Sequence, residues 1–339
     1  MDAIRQITPT AKFHLYTTVP EWFFADSLIQ SWTYHACVTD IGMVQKTALQ
    51  EDVDATLEQL ARFIPFPAGQ ILRLADEMRA LNVNLVLCDI SPLGLQAAAQ
   101  ARLPAVLIEN FTWDWIYSGY AAKVDQFKPF VDYLRNQFSL AVVHIRTAPY
   151  CDITPADLIA APVSRRPRSS RDETRNRLGI APGQRAVLVT MGGIADKWDF
   201  TGLCRLYPQT LFVIPAGAER ELRVANIHYL PHHHSFFHPD LVTACDAVIG
   251  KVGYSTIAET YWAGIPFGYI SRQGFRESAE MTRFIRANMP GLEIFQEEFE
   301  LGVWPDRIGD LLQLNPVWRA GENGAGQIAE YLAGRGFIV

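Results

Sequence analysis

The sequence DAVIGKVGYSTIAETYWAGIPFGYISR, residues 246–272, decides the fold of the second half of the chain. It opens with a short apolar run, passes through a turn rich in glycine and hydroxyl side chains, and continues as a helix pattern and a second apolar run. A strand, a helix and another strand in this order predict a parallel sheet covered by helices. The polar turn then lies at the carboxyl edge of the sheet, where open α/β sheets bind ligands.

The turn after the first apolar run has the composition of an anion-binding site. Gly250 and Gly253 allow the backbone to approach a ligand or to adopt a positive φ. The helix is expected to begin near Ser255 or Thr256, so its unpaired amides and positive dipole end would face the turn. Lys251 adds a full positive charge, although a solvent-exposed lysine is the simpler interpretation of that residue alone. Together these residues predict a diphosphate-binding turn.

Glu259, one helical turn further on, has two interpretations. A carboxylate repels phosphate, so Glu259 is not expected to contact the diphosphate itself. It can accept hydrogen bonds from the two hydroxyls of a ribose, as acidic residues do in dinucleotide folds. It also completes the spacing Thr256-x-x-Glu259 of a capping box, which needs no ligand. The spacing alone leaves both interpretations open.

Two further segments are assigned to the same predicted site. Met191, Gly192 and Gly193 form a second glycine turn after a strand. The loop 231–240 is rich in histidine, and His234 is expected beside the base of a nucleotide. Consecutive histidines of an extended chain point in alternating directions and do not converge well on one ion. We therefore predict no metal site.

Composition narrows the class of protein. The chain has 339 residues, of which 49% are hydrophobic, so two domains with sizeable cores are expected. A net charge of −6 argues against a general nucleic-acid binder. The five cysteines are scattered without C-x-x-C spacing, which is typical of a reduced, cytoplasmic protein. No apolar run approaches the roughly 20 residues that a transmembrane helix requires.

Strands and helices alternate through both halves of the chain. Strand patterns fall at 12–18, 83–89, 104–110, 140–146, 186–190, 210–216, 226–230, 246–250 and 266–271. The segment 164–183 is polar and basic, which is typical of a linker. We predict an α/β protein with two Rossmann-like doubly wound domains, residues 1–163 and 184–339. A last helix pattern at 324–336 is expected to pack back on the first domain.

Several motifs, in the same order along the chain, resemble a known family. IGKVGYSTIAETYWAGIPF (249–267) together with TMGG (190–193) resembles the donor-binding half of GT-B glycosyltransferases. The whole chain is similar to the amino-terminal glycosyltransferase-like region of plant L-arabinokinase and its free-standing bacterial relatives. The motifs behind that similarity are DIGMVQKTAL (40–49), DISPLGLQAAAQARLPAVLIENFTWDWIY (89–117) and SRDETRNRLGI (170–180), in addition to the segment around Gly250.

The resemblance implies a glycosyltransferase of the hexosyltransferase type. It would move a sugar from a nucleotide-diphosphate donor, UDP-linked in this interpretation, to an acceptor hydroxyl without a metal or other cofactor. The turn 250–256 corresponds to the diphosphate loop of that family, and Glu259 to a ribose-binding carboxylate. Arg272 and Glu277 correspond to positions that contact the donor sugar.

The resemblance assigns the acceptor side to the first domain, for a small molecule or glycan that the sequence does not identify. Asp89, Asn110, Trp113 and Asp114 fall at predicted strand ends. Asp89 is the candidate catalytic base, because a carboxylate at that edge can take a proton from an acceptor hydroxyl. Trp113 can stack on a sugar or pack in the core, and the sequence does not separate these roles.

The beginning of the chain departs from the family pattern. Family members start with a strand followed by a loop of the type G-H-G-x-G-H, whereas this chain starts inside the expected first helix. We therefore expect the first strand and its histidine loop to be missing, through a late start or a true truncation, and activity without them is not assured. A non-catalytic nucleotide-sugar-binding or regulatory module and a nucleotide-sugar epimerase stay open as alternatives.

Overall fold

The protein is represented by a computed structural model that describes residues 1–28, 32–191, 200–272 and 274–338. The chain divides into two compact units. The first unit comprises Met1–Val44, Asp52–Val163 and Glu322–Val339, and the second comprises Gln45–Glu51 and Ser164–Gly321. Among the helices of the described residues, none is both long enough and apolar enough to cross a membrane.

The described residues form short strands and helices that alternate along the chain. The strands are β1 (His14–Thr17), β2 (Thr33–Ala36), β3 (Gln45–Thr47), β4 (Gln50–Glu51), β5 (Val86–Asp89), β6 (Ala105–Glu109), β7 (Val143–Thr147), β8 (Leu158–Ala160), β9 (Arg185–Thr190), β10 (Thr210–Ile214), β11 (Leu222–Val224), β12 (Ile227–Tyr229), β13 (Ala247–Lys251), β14 (Phe267–Ile270) and β15 (Gly291–Ile294). The helices are α1 (Asp2–Ile7), α2 (Glu21–Ser27), α3 (Val53–Phe63), α4 (Ala68–Ala80), α5 (Pro92–Ala101), α6 (Trp113–Ala121), α7 (Lys128–Phe138), α8 (Arg171–Arg177), α9 (Thr201–Leu206), α10 (His238–Ala244), α11 (Tyr254–Ala263), α12 (Glu277–Asn288), α13 (Gln296–Glu300), α14 (Ile308–Leu311) and α15 (Gly324–Gly334).

The first unit contains two parallel sheets, β1–β2 and β5–β6–β7–β8. Val106 of β6 lies opposite Val143 of β7, and both side chains are fully buried. Ile328 and Leu332 of α15 pack into the same apolar core. The strands of this sheet are rich in β-branched and aliphatic residues because both faces of a parallel sheet are covered.

The second unit is built on one seven-stranded sheet of order β11–β12–β10–β9–β13–β14–β15. Its described strands pair in parallel except β11, which is antiparallel to β12. Val187, Phe212 and Ile249 lie in the centre of its core and are fully buried. The helix and strand assignments on either side of the quoted turn confirm the α/β fold class that the sequence predicted.

Two segments belong to a different unit from the one in which the predicted boundaries put them. The β3–β4 hairpin, residues 45–51, lies in the second unit because Ala48 and Leu49 are buried in that core. Residues 322–339 lie in the first unit, where the Gln327 side chain accepts a hydrogen bond from the Ala161 amide at 2.7 Å. The segment 164–183 contains α8 and belongs to the second unit.

Candidate functional site

The second unit has a topological switch point between β9 and β13. From β9 the chain proceeds outward through β10 and β12, whereas from β13 it proceeds outward in the other direction through β14 and β15. Open α/β sheets bind ligands at the carboxyl ends of the two strands where the order reverses. The predicted glycine segment 250–253 covers the end of β13, and the segment 191–193 begins directly after β9 in the sequence. Gly192 and Gly193 lie outside the described residues.

Gly250 and Gly253 lie in different surroundings. Gly250 is the fourth residue of β13, and a Cβ there would lie 2.3 Å from the Thr190 carbonyl oxygen of β9. The close approach of β9 therefore explains the glycine. The sequence had also allowed a positive φ at this position, but the φ of Gly250 is not positive. Gly253 precedes α11 with φ −153°, and no described atom lies within 4 Å of a Cβ built there. The open side of the turn is at Gly253.

Helix α11 begins directly after Gly253 and contains ten residues. No described side chain caps its first turn, in which Ser255 is exposed and Thr256 is half-buried. The capping-box interpretation is wrong, because Gly253 is the N-cap residue and Thr256 lies inside the first turn. The first amides of α11 and the Ser255 hydroxyl are thus donors beside the open side of the turn.

Glu259 is buried between the side chains of Arg165 and His238. Its Oε1 accepts a hydrogen bond from Nε of Arg165 at 3.0 Å and lies 3.0 Å from Nη2 of the same side chain. Its Oε2 lies 2.7 Å from Nδ1 of His238. Burial alone raises the pKa of Glu259, but His238 and Arg165 outweigh that effect and the net pKa is lowered. Both carboxylate oxygens therefore have protein partners. A ribose would have to share them.

Lys251, Arg272, Glu277 and Glu51 form a group that we call the four-charge cluster. Arg272 Nη1 lies 3.6 Å from Glu51 Oε1, and Arg272 Nη2 lies 3.7 Å from Glu277 Oε2. Burial and the neighbouring Arg272 lower the pKa of Lys251 to about 8, and this lowering is opposed by Glu277 and Glu51. The predicted residues Lys251, Arg272 and Glu277 are therefore brought together at the carboxyl edge of β13 and β14.

The remaining predicted residues of the second unit have mainly structural contacts. Met191 is buried in the apolar core directly after β9. His234 is half-buried, and its Nδ1 accepts from the Phe236 amide at 3.3 Å. Within the described residues, no group of three or more His, Cys, Asp or Glu side chains is arranged to hold a metal ion.

Asp89 lies at the carboxyl end of β5 in the first unit. The residue as a whole is exposed, whereas its carboxylate is surrounded by protein atoms. Nearby protein atoms displace solvent from its carboxylate and raise its pKa. The next residue, Ile90, has φ 56°, which is strained for a β-branched residue. Strain of this kind is concentrated at functional sites. Burial and the charge of Asp89 raise the pKa of Asp40 to about 6, so the two carboxylates are electrostatically coupled.

Asn110, Trp113 and Asp114 pack within the first unit. The Asn110 carbonyl accepts from the Cys151 amide at 2.7 Å. Trp113 stacks on Tyr117 with ring centroids 5.7 Å apart, and its Nε1 is buried without a partner among the described residues. Asp114 is in the first turn of α6, where burial raises its pKa. For Trp113, packing accounts for most of the observed contacts.

Four ionisable residues of these two regions were not predicted from the sequence. They are Asp40, Glu51, Arg165 and His238. Asp40 is the first residue of the motif DIGMVQKTAL, and Glu51 lies two residues beyond its end. That proximity was the available signal for them. Arg165 lies in a segment that reads as a linker, and His238 is one of several histidines in a loop.

Comparisons with known proteins agree with this architecture. No protein-family profile matches the chain. The chain is 29% identical over 328 residues to L-arabinokinase of Arabidopsis thaliana, an alignment that covers 94% of this chain and 31% of the arabinokinase. The chain thus spans about a third of the length of that relative.

Solved structures of glycosyltransferases are similar over almost the whole chain. A UDP-glucosyltransferase from Polygonum tinctorium superimposes with a TM-score of 0.60 at 12% identity, covering 98% of this chain and 88% of that one. The glycosyltransferase VinC, solved in complex with dTDP, gives a TM-score of 0.57 at 14% identity, covering 99% and 90%. The chain has the GT-B glycosyltransferase fold of two Rossmann-like units. Its sequence resembles the matching third of plant L-arabinokinase.

Proposed function

We propose that the protein is a glycosyltransferase that uses a nucleotide-diphosphate sugar, with the donor held by the second unit. The observation that carries the proposal is the coincidence of three features at one topological switch point. These are the open turn at Gly253, the uncapped start of α11 and the positive charge of Lys251. An uncapped helix start with a neighbouring cation is a favourable environment for a diphosphate.

The proposed reaction is displacement at the anomeric carbon of the donor sugar. The acceptor hydroxyl oxygen forms the new bond to that carbon while the bond to the diphosphate oxygen breaks. Lys251 and the first amides of α11 would stabilise the negative charge that develops on the leaving diphosphate. Asp89 would take the proton of the acceptor hydroxyl, and its raised pKa suits that role. UDP is the proposed nucleotide.

The donor half of the proposal is tested by nucleotide binding. UDP at 100-fold excess over its Kd is expected to raise the stability of the wild-type protein by about 2.7 kcal/mol, measured by thermal denaturation. Lys251→Ala is expected to weaken UDP binding about ten-fold, because a hydrogen bond to a charged group is lost. Lys123→Ala, at an exposed lysine of the first unit, is the control and should bind normally. Absence of any effect of UDP, GDP or ADP would contradict the donor site.

A nucleotide-sugar-binding module without turnover is the second candidate. It is favoured by the interior packing of Trp113 and Asp114, which leaves the acceptor side less supported than the donor side. A UDP-sugar transfer and hydrolysis assay separates the two candidates. Turnover that Asp89→Asn abolishes supports the transferase, whereas donor binding without turnover supports the binding module.

A further inference from the structure

The β3–β4 hairpin is an integral part of the second unit. Gln45 pairs with Glu51 in antiparallel register, and the turn between them carries Ala48 and Leu49. These two side chains are 0% and 3% exposed, in the same core as the end of β9 and β14. The hairpin therefore delivers Glu51 to the carboxyl edge of a sheet from which it is distant in sequence.

Glu51 is a buried carboxylate that lacks hydrogen bonds at one oxygen. Its side chain is 9% exposed, and Oε1 accepts no hydrogen bond from the described residues. A buried charge is costly unless opposite charges compensate for it. For Glu51 that compensation comes from Arg272, with Nη1 at 3.6 Å, and from Lys251. The carboxylate thus has an electrostatic role in the cluster.

The four-charge cluster is balanced only because Glu51 is present. Lys251 and Arg272 are two cations, and Glu277 alone would leave a net charge of +1 in a buried environment. The charged groups that act on Lys251 come from three different parts of the unit, since Glu51 ends β4, Arg272 follows β14 and Glu277 begins α12. Repulsion from Arg272 favours loss of the Lys251 proton, and the two carboxylates oppose that loss.

We propose that Glu51 is a positioning residue of the donor site: it fixes Arg272 and keeps Lys251 charged for the diphosphate. The inference rests on the proposed function, because it assigns Glu51 a role in that same site. Glu51 does not itself contact the donor in this proposal.

The role of Glu51 has a signature in the pH dependence of binding. Glu51→Gln should lower the pKa of Lys251 from about 8 by about one pH unit, the common effect of losing one nearby opposite charge. At pH 6 Lys251 stays protonated, and the variant loses a carboxylate that repels phosphate, so its UDP affinity should equal or exceed that of the wild type. Between pH 6 and pH 8 its affinity relative to the wild type should fall about three-fold, if neutral Lys251 binds as weakly as Lys251→Ala.

The titration of Lys251 is measured directly in the ligand-free full-length protein. Lysine labelled with ¹³C at Cε is followed by NMR against pH, with the Lys251 signal assigned by its absence in Lys251→Arg. Glu51→Gln should shift the midpoint downward, whereas Glu51→Asp, which keeps the charge, should restore most of it. Glu297→Gln removes an exposed carboxylate of the same unit and should leave the midpoint unchanged.

The outcomes separate the inference from the proposed function. Thermal denaturation first shows that each variant is folded, and Glu51→Met, which also removes the charge at similar side-chain size, replaces Glu51→Gln if that variant does not fold. An unchanged Lys251 midpoint in a folded Glu51→Gln protein would overturn the inference. UDP affinity that tracks pH identically in both proteins would overturn it as well. A shifted midpoint in a protein that binds no nucleoside diphosphate would support the charge relation and refute the donor site itself.

Discussion

At the scale of single residues, Glu259 has contacts that its sequence spacing did not indicate. Sequence spacing offered a ribose contact or a helix cap, and the observed partners are Arg165 and His238. Neither partner was predictable, because they are 94 and 21 residues away in sequence. Lys251 was proposed from the composition of the turn, and Arg272 and Glu277 from the resemblance. The same limit of sequence distance hid Glu51.

Glu259→Gln is expected to destabilise the protein. Removing one partner of a buried ion pair leaves the others without compensation, and we expect a loss of about 3 kcal/mol in the free energy of unfolding. This is the low end for buried pairs, because the Arg165 and His238 side chains are 27% and 24% exposed. Denaturant unfolding at pH 7 measures the loss, with Glu297→Gln as the exposed control.

The pH dependence gives a second test of Glu259. Its pKa is lowered in the folded protein, so its contribution to stability is present above the pKa of an unfolded glutamate and is lost as pH falls through the lower, folded value. The stability difference between wild type and Glu259→Gln should therefore shrink under acid conditions. Unchanged stability combined with lost UDP binding would instead indicate a direct ribose contact.

At the scale of elements, the strand–turn–helix–strand unit from β13 to β14 was predictable because its information is local. Apolar runs, glycines and helix periodicity all lie within 27 consecutive residues, 246–272. The β3–β4 hairpin was not predictable, because QKTALQE has no strong strand pattern and is ordered by a core built from distant segments. The role of Gly250 was also hidden, since it depends on the neighbouring strand β9.

Gly250 and Gly253 form a matched pair for substitution. A Cβ at Gly250 would lie 2.3 Å from a backbone carbonyl that cannot move without displacing β9. We expect Gly250→Ala to cost about 3 kcal/mol of unfolding free energy, the upper part of the usual range for overpacking. Gly253→Ala meets open space at a φ that alanine tolerates, so stability should change by less than about 0.5 kcal/mol.

The two variants are compared by denaturant unfolding and by UDP binding. Gly253→Ala should weaken UDP binding if the diphosphate approaches the backbone at the turn. A stable Gly250→Ala protein would show that β9 and β13 can separate, contrary to the geometry. Full UDP affinity in Gly253→Ala would show that the open side of the turn is not used by the ligand.

At the scale of the whole molecule, the chain passes between the two units four times, at 44/45, 51/52, 163/164 and 321/322. The predicted division into 1–163 and 184–339 was based on a composition change, which marks only the third of these passages. The tail helix was predictable from its own periodicity. Its buried residues Ile328 and Leu332 belong to the core of the first unit.

A fragment of residues 164–321 is therefore expected to be unstable. It lacks the hairpin, and with it the apolar area of Ala48 and Leu49 in the core. Leu49→Ala in the full chain tests the same contacts without removing the hairpin. Because Leu49 is buried, this substitution should lower the free energy of unfolding by about 2–5 kcal/mol. Cooperative unfolding of the fragment at the same denaturant concentration as the intact protein would refute this expectation.

The hairpin also limits how such a molecule can be recombined. In a chimera that exchanges one contiguous half between two homologues, the core of the second unit would come from one homologue and residues 45–51 from the other. Glu51 would then no longer come from the same protein as Lys251 and Arg272. Successful shuffling would have to transplant residues 45–51 together with 164–321 as a single discontinuous module. Under the proposed function, the affinity for the diphosphate would depend on both segments, and sequence comparisons confined to residues 164–321 would omit Glu51.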